Sequence, residues 1–383
     1  MSSPKLRVLL YPRDNVGCGW YRVLWPGMFV AESGKADVFI GTADIAAKEK
    51  GYDLTLAMLS EVQENKPDVV VVQRPFTYDL YLAIQAIQQF AAVVVEIDDD
   101  FKNLPYASPA FHMLHKNRYD ALRKGNVGLI AQPEAPGDVF WIEKSIAIAD
   151  GFTCSTPGIA AAYNSPHSHV IRNVVPPGWT KVDSPKTSET DGHLRIIWTG
   201  NVEYHWNDFK DLEVKLSIVC EQTGAKFFNI GTPGPILANK VRMSVETLEG
   251  QNWLALNEPG YITEIGKADI GIVPLQKSKF NDSGKSYIKG LEYSAVGLPF
   301  VASPTDEYQY LHSLGAGILA EKERHWEKEL RRLLLMSKEE RHEIGEKNRE
   351  VAKKLTFESV VDQYLDAWKD AVAVRKVRSL VLA

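Results

Sequence analysis

The sequence predicts an α/β protein built from two doubly wound domains. Short runs of β-branched residues alternate with segments of helical apolar spacing along most of the 383 residues, which is the pattern of parallel sheets covered by helices. A polar stretch interrupts this alternation near the middle of the chain. The length also suits two domains of ~150–200 residues each. We therefore predict two Rossmann-like domains in tandem.

The first series of elements covers residues 1–178 and predicts the N-terminal domain. Several of its strands are apolar at nearly every position, as expected of strands buried on both faces of a parallel sheet. The predicted strands are 6–11, 68–73, 92–97, 151–155 and 170–172. The predicted helices are 21–32, 53–65, 78–90, 139–149 and 156–163.

A second series follows a stretch rich in Pro, Ser, Thr, Lys and Asp, which indicates an interdomain linker at 179–192. The second domain is predicted to cover 193–355. Its predicted strands are 194–199, 226–230, 269–273 and 299–302, and its predicted helices are 208–222, 235–245, 284–296 and 326–336. Residues 356–383 predict a terminal helix, because apolar residues recur there at helical spacing.

Composition and charge restrict the function. A net charge of −5 argues against a broad basic face for duplex nucleic acid. Cys18, Cys154 and Cys220 lack the spacing of a metal site, and reduced thiols in a cytosolic compartment are the natural interpretation. The N-terminus does not resemble a signal peptide, and no apolar stretch approaches the ~20 residues of a membrane span. We expect a cytoplasmic protein without a transmembrane segment.

The segment FNDSGKSYIKGLEYSAVGLPFVAS, residues 280–303, contains the strongest site pattern. Asp282 or Ser283 is predicted to cap a helix whose first turn holds Gly284, Lys285 and Ser286. Free backbone N–H groups and the helix dipole favour an anion at such a position. A cation and a hydroxyl beside them indicate a diphosphate as the guest.

Helical spacing extends this site along the same helix. Lys285, Lys289 and Glu292 are predicted to share one stripe, at steps of four and three residues. Glu292 would then lie ~10 Å from the phosphate end, a distance that suits a carboxylate accepting from ribose hydroxyls. The alternative is a solvated helix face with ordinary charge pairs.

Other candidate residues follow predicted strands. The loop after the first strand contains Gly17 and Gly19, which would let the backbone approach a ligand closely, and Arg13 or Arg22 would meet a phosphate. A plain tight turn is the alternative.

Asp98 and Asp99 follow the strand 92–97, where a side chain points toward the ligand-binding edge of a parallel sheet. One of them would orient or deprotonate an acceptor hydroxyl. A solvated helix cap and a divalent-metal motif are the alternatives, and we predict no metal.

The first strand of the second domain is followed by Gly200, Asn201 and His205, and the next strand is followed by Gly231. A histidine here would hydrogen-bond a phosphate or a sugar, whereas an exposed loop histidine is the alternative.

Taken together, the helix start and the run L-E-Y-x-A-x-G-x-P-x-V-A-S resemble the C-terminal domain of GT-B glycosyltransferases, in particular the family-4-like group. The compact loops are similar to those of enzymes of bacterial or phage origin. Stretches 150–163, 170–174 and 196–208 are similar to other parts of that fold. The resemblance implies two Rossmann-like domains facing a cleft, with a C-terminal helix crossing back to the N-domain.

The resemblance also implies residue roles. Glu292 would hold the donor ribose and the helix start would hold the diphosphate, with the loop after Gly200 over the donor phosphates and Gly231 near the base. The family usually carries an earlier glutamate where this chain has Gly284. This departure leaves the stereochemistry of transfer, retaining or inverting, open.

We therefore expect a hexosyltransferase that moves a sugar from a UDP- or GDP-sugar to an acceptor hydroxyl, with no tightly bound cofactor. The N-domain would present the acceptor, whether protein, glycan or DNA base. Lys285 and His205 would stabilise the leaving diphosphate. A sugar-nucleotide epimerase of similar fold and a non-catalytic nucleotide-sugar-binding protein are the alternatives. The sequence names neither the sugar nor the oligomeric state.

Overall fold

The computed structural model describes residues 5–43, 53–106, 108–114, 137–200, 206–210, 212–231, 245–248 and 260–382. The chain forms two compact units. The first consists of Met1–Arg172 together with Val360–Ala383, and the second is Asn173–Ser359. The chain therefore passes between the units at 172–173 and again at 359–360.

The first series of elements alternates as predicted. The strands are β1 Leu6–Tyr11, β2 Ala36–Ile40, β3 Val69–Gln73, β4 Ala92–Ile97, β5 Gly151–Cys154 and β6 Ser168–Val170. The helices are α1 Trp25–Glu32, α2 Leu54–Asn65, α3 Tyr78–Ile87, α4 Pro109–Leu114, α5 Asp138–Ile148 and α6 Pro157–Tyr163. A helical turn Gly17–Gly19 and a π-helical turn Trp20–Leu24 lead into α1, and a 3₁₀ turn Phe101–Asn103 follows β4.

The second series has the same character. Its strands are β7 Arg195–Thr199, β8 Lys226–Ile230, β9 Val245–Leu248, β10 Ile270–Val273, β11 Phe300–Ala302 and β12 Ile318–Leu319. Its helices are α7 Ser188–Asp191, α8 Glu213–Thr223, α9 Gly260–Gly266, α10 Ile288–Ala295, α11 Asp306–Ser313, α12 Glu323–Leu335 and α13 Lys338–Ala352. The last helix, α14 Val361–Leu382, belongs to the first unit. Short 3₁₀ turns cover Pro177–Lys181, Trp206–Phe209 and Phe357–Val360, and a π-helical turn covers Phe280–Gly284.

The sheet of the first unit is parallel, in the order β2-β1-β3-β4-β5-β6. Every residue of β3 and β4 is buried, because helices cover both faces of these central strands. The strand order reverses beside β1, where β2 lies on one side and β3 on the other. Such a reversal is the topological switch point at which open α/β sheets bind ligands.

The sheet of the second unit is also parallel, in the order β12-β11-β10-β7-β8-β9. Counted within this unit, the order is the 3-2-1-4-5-6 arrangement of dinucleotide-binding folds. Its switch point lies between β7 and β10. Trp198, Leu216, Phe227 and Leu330 lie in the hydrophobic core cluster that packs against this sheet. The two doubly wound α/β domains predicted from the sequence are confirmed.

The terminal helix α14 completes the first unit. It packs on β4, β5 and α1, and Tyr364, Trp368 and Ala371 are buried in this contact. A Cβ on Gly151 of β5 would lie 3.0 Å from the Cβ of Ala371. The predicted return of the last helix to the N-terminal domain is therefore confirmed.

The stretch 179–192, predicted to be a linker, lies within the second unit. Trp179 and Ser184 are buried, and Lys186 Nζ donates to the carbonyl of Gly266 at 2.7 Å. The polar groups of this stretch form hydrogen bonds within the second unit. The chain passes from the first unit to the second at 172–173 and not at the predicted linker.

Several elements differ from the sequence prediction, among them the helices α4, α7, α9 and α11, which were not predicted. The strands β2, β9 and β12 were not predicted. Of these, β2 and β12 are incompletely buried, and β12 has only two residues. The helix predicted at 235–245 falls almost wholly outside the described residues, and its last residue begins β9. Within the described part of the chain, no helix has the length and apolar character that crossing a membrane requires.

Candidate functional site

Two glycines bring the carboxyl ends of β7 and β8 into close contact in the second unit. Gly200 and Gly231 follow these strands with φ of +139° and +135°, a backbone conformation that residues with side chains rarely adopt. A Cβ on Gly231 would lie 2.0 Å from the carbonyl oxygen of Gly200. Glycine is therefore required sterically at this edge, which is the edge where ligands bind in such sheets.

The ammonium group of Lys289 lies at the same edge. Its Nζ is 5.4 Å from the centroid of the Trp198 ring, and a Cβ on Gly200 would lie 3.0 Å from that Nζ. Lys289 is the second residue of α10, so its side chain starts from the first turn, at the positive end of the helix dipole. A cation, a helix N-terminus and two glycine-terminated strands together favour an anionic ligand.

The helix that carries Lys289 begins later than the sequence predicts. It starts at Ile288 with Tyr287 as its N-cap, so the predicted caps Asp282 and Ser283 are wrong. Gly284 instead ends the π-helical turn, and Lys285 is extended with φ −82° and ψ 126°.

A contact distant in sequence explains the late start. Asn281 Nδ2 donates to Asp208 Oδ1 at 3.0 Å and to the carbonyl of Gln276 at 2.8 Å. Because this network holds the π-helical turn in place, the chain leaves it as a short loop before α10 begins. Local capping signals carry no information about such an anchor.

As a consequence, the residues before α10 do not lie on the helix face that carries Lys289 and Glu292. Lys285 Nζ lies 4.8 Å from the Phe280 ring centroid. Ser286 Oγ accepts a hydrogen bond of 2.8 Å from Asn173 Nδ2, and Ser283 Oγ donates to the carbonyl of Lys279 at 3.1 Å. The predicted common stripe of Lys285 and Lys289 is wrong, although both belong to the same loop-to-helix segment.

Glu292 is buried on the same helix and is held by a tyrosine. Tyr261, from α9, donates its hydroxyl to Glu292 Oε2 at 2.9 Å. Burial, and then the charge of Glu292, raise the pKa of Tyr261 well above its ordinary value, so the phenol remains a hydrogen-bond donor. Glu292 lies four residues after the helix start, about 6 Å along the axis rather than the expected ~10 Å.

Two predicted residues of this edge, Asn201 and His205, lie outside the described residues. Gly284 is buried and carries no side chain at the position of the earlier family glutamate.

In the first unit, the glycine loop after β1 is held by hydrogen bonds from its own backbone to the side chain of Asp14. Asp14 Oδ1 accepts from the N–H groups of Val16 and Gly19, at 3.1 Å and 3.0 Å. Gly17 and Gly19 lie in the short helical turn, and the Asp14 carboxylate binds the N–H of its last residue. The exposed Arg13 places its guanidinium 5.4 Å from the Phe76 ring centroid.

Asp98 follows β4 and is engaged by an arginine that the sequence prediction missed. Arg74 donates from Nε and Nη2 to the two carboxylate oxygens of Asp98, at 2.5 Å and 2.6 Å. Burial opposes ionisation of Asp98, but the guanidinium outweighs it and holds the pKa of the carboxyl below its ordinary value. Arg74 directly follows the buried strand β3, so the argument that selected Asp98 also applied to Arg74.

Asp99 lies beside this pair. Its Oδ2 is 3.7 Å from Arg74 Nη2, and its side chain is 21% exposed against 8% for Asp98. The structure thus distinguishes two carboxylates that the sequence left equivalent. Asp98 is held by two hydrogen bonds from Arg74, and Asp99 is the more accessible of the two. Among the described residues, His, Cys, Asp and Glu side chains do not gather in threes around a point that would hold a metal.

Arg22, predicted as a phosphate contact, is buried in an ion pair. Its Nε donates to Glu96 Oε1 at 2.7 Å and its Nη1 to the carbonyl of Ile171 at 2.6 Å. Thr153 also donates its hydroxyl to Glu96. This expectation for Arg22 is therefore wrong, because its guanidinium is committed to Glu96, which lies 74 residues away.

Comparisons with known proteins agree with this architecture. A glycosyltransferase from Rickettsia africae superposes with a TM-score of 0.60 at 12% identity, covering 97% of this chain and 99% of that one. HepE from Anabaena, in complex with UDP-glucose, gives a TM-score of 0.59 at 10% identity over 94% of this chain and 99% of HepE. TarM of S. aureus gives 0.55 at 12% identity over 82% of this chain, which spans only 58% of TarM.

Neither a protein-family model nor a curated protein sequence matches the chain. At such low identity, the structural likeness shows the fold, which is the GT-B fold of glycosyltransferases.

Proposed function

We propose that the chain is a glycosyltransferase that moves a sugar from a nucleoside diphosphate sugar to an acceptor hydroxyl. The observation that carries the proposal is the meeting of Lys289, Gly200, Gly231 and the N-terminus of α10 at the carboxyl ends of β7 and β8, beside the switch point of the second sheet. HepE, which shares the fold, was solved with UDP-glucose, and this makes a UDP-sugar the first donor to test.

In this proposal the donor diphosphate binds at the start of α10. The Lys289 ammonium and the positive end of the α10 dipole neutralise its charge, and the Ser286 hydroxyl donates to it. Lys285 and His205 supply further positive or hydrogen-bonding groups. Asn201 adds a polar side chain after β7. No side chain at Gly200 or Gly231 obstructs the approach of the phosphates.

Glu292 binds the ribose of the same nucleotide. A carboxylate accepts hydrogen bonds from vicinal hydroxyl groups, and the Tyr261 hydroxyl fixes the orientation of Glu292. A nucleotide lying along α10 passes from phosphate to ribose in about one helical turn. The distance between Ile288 and Glu292, about 6 Å, is compatible with that span.

The first unit supplies the acceptor-binding groups. Asp99 is the candidate to accept the proton of the attacking hydroxyl, whereas Asp98 keeps Arg74 in place. The acceptor oxygen bonds to the anomeric carbon, the bond from that carbon to the phosphate oxygen breaks, and the nucleoside diphosphate leaves with the bonding electrons. Lys289 and the helix N-terminus stabilise the charge that develops on the leaving diphosphate.

Incubation with UDP-glucose or a GDP-sugar, with water as a substitute acceptor, tests the proposal. We expect the wild type to release UDP or GDP and the free sugar, and Glu292→Ala to lose this release. The exposed Glu343 offers the matched control Glu343→Ala, which should behave as the wild type. Conversion of the donor sugar to an epimer without release of nucleotide would instead identify an epimerase. Nucleotide binding without turnover, with any acceptor tried, would identify a binding protein.

A further inference from the structure

Asn173 connects the start of the second unit to the loop that precedes α10. Asn173 is 7% exposed, and its Nδ2 donates to Ser286 Oγ at 2.8 Å. Asn173 is the first residue of the second unit, where the chain arrives from the first. Neither the strand pattern nor the capping signals of the sequence predicts this contact across 113 residues.

The backbone beyond Asn173 is held at a fixed position. Val175 pairs with Thr356 in a parallel bridge. The Val175 N–H donates to the carbonyl of Leu355 at 3.1 Å, and the Phe357 N–H donates to the carbonyl of Val175 at 3.2 Å. The two segments through which the chain enters and leaves the second unit are therefore hydrogen-bonded to each other. These bonds fix the backbone two residues after Asn173.

The direction of the hydrogen bond has a chemical consequence. A serine hydroxyl carries one hydrogen and two lone pairs. Because Asn173 donates to the Ser286 oxygen, the hydroxyl hydrogen of Ser286 can donate to a different acceptor. Within the described part of the chain, Ser286 has no second hydrogen-bond partner. A phosphate oxygen accepts hydrogen bonds and is therefore complementary to a serine held in this way.

We propose that Asn173 is a positioning residue for the donor diphosphate, which it influences through Ser286. It fixes the Ser286 side chain so that the hydroxyl donates to a phosphate oxygen of the nucleotide. The inference rests on the proposed function, which places the diphosphate at the start of α10. In this proposal Asn173 belongs to the donor site although it contacts no part of the donor itself.

A double-mutant cycle on UDP binding tests this role. Asn173→Leu has a similar volume but cannot donate a hydrogen bond, and Asn173→Ala serves as a second variant of smaller volume. In the wild-type background we expect either variant to weaken UDP binding about threefold to tenfold, the usual range for one hydrogen bond. In a Ser286→Ala background, the same substitutions should change the dissociation constant less than twofold, because the group on which Asn173 acts is absent.

Isothermal titration with UDP, alongside thermal unfolding of each variant, separates the outcomes. An equal loss of affinity in both backgrounds would show a merely structural role and overturn the inference, as would unchanged affinity in both single variants at Asn173. If neither UDP nor GDP binds the wild-type protein, the proposed function fails and the inference fails with it. Wild-type binding with an uncoupled Asn173 contradicts the inference alone.

Discussion

Tyr261 donates a hydrogen bond of 2.9 Å to the carboxylate of Glu292, and both side chains are buried. The tyrosine comes from α9 and the glutamate from α10, so the bond fixes the carboxylate of one helix from its neighbour. A carboxylate oriented in this way is prepared to accept from two adjacent hydroxyl groups. This pair is the basis of the first prediction.

Replacing Glu292 with glutamine should weaken UDP binding about tenfold to a hundredfold, because hydrogen bonds to a charged group are lost while the shape is kept. Tyr261→Phe should weaken binding less, since it removes the orienting donor and leaves the carboxylate. Isothermal titration measures both effects. Equal affinity of wild type and Glu292→Gln would show that Glu292 does not bind the ribose.

The glycine pair at the ends of β7 and β8 predicts a steric effect. An alanine at Gly231 would place its Cβ 2.0 Å from the carbonyl oxygen of Gly200, so the variant should lose nucleotide binding and much of its stability. Gly224 is the matched control, because it has φ of +71° with nothing within 4 Å of its Cβ position. Gly224→Ala should cost about 1–2 kcal/mol of conformational strain and leave binding unchanged. Equal loss of stability in both variants, measured by urea unfolding, would contradict the steric account.

The buried pair of Arg22 and Glu96 predicts a non-additive effect on stability. Glu96→Gln removes the carboxylate that pairs with the buried Arg22 guanidinium, which should lower the free energy of unfolding by about 3–5 kcal/mol. The double variant Arg22→Met, Glu96→Leu should recover much of this loss, because an apolar pair needs no neutralisation. Chemical unfolding of Arg22→Met, Glu96→Leu and the double variant measures the coupling. Additive losses would show that the two side chains do not act as a pair.

The pair of Arg74 and Asp98 predicts a dependence of stability on pH. Because the pKa of Asp98 is lower in the folded than in the unfolded chain, its contribution is present above the ordinary aspartate range. The contribution is lost as the pH falls below about 4 and passes through the folded pKa. Asp98→Asn should therefore be less stable at pH 7 and should unfold with a weaker dependence on pH in the acid range.

Asp366 is exposed and supplies the control for this prediction. Asp366→Asn should reproduce the wild-type dependence of unfolding on pH. An Asp98→Asn variant with the same acid dependence as wild type would contradict the lowered pKa of Asp98.

The sequence predicts the architecture well because the central strands, such as β3 and β4, are buried on both faces and read as continuous apolar runs. The missed edge strands lack this signature. Ala36–Ile40 is largely half-exposed and Ile318–Leu319 has two residues, so neither produces a clear run. What the local pattern cannot show is which loops meet.

The site illustrates the same limit. Lys289 and Glu292 were selected by spacing along one helix, which is local information. The start of that helix was wrong because Asn281 is anchored by Asp208, 73 residues away. Arg22 was misassigned because Glu96, its partner, also lies far along the chain. Arg74 was overlooked despite its place after a buried strand, a position that the same reasoning would have selected.

The most direct test of the central claim is titration of UDP and GDP into the wild-type protein and Lys289→Ala. Lys279 is exposed, and Lys279→Ala provides a control with the same change in net charge. We predict that the wild type and Lys279→Ala bind one of these nucleotides with similar affinity, and that Lys289→Ala binds it at least about tenfold more weakly, since a charge-assisted contact with the diphosphate is lost. Equal affinity of all three proteins, or no binding by the wild type, would contradict a donor site at the start of α10.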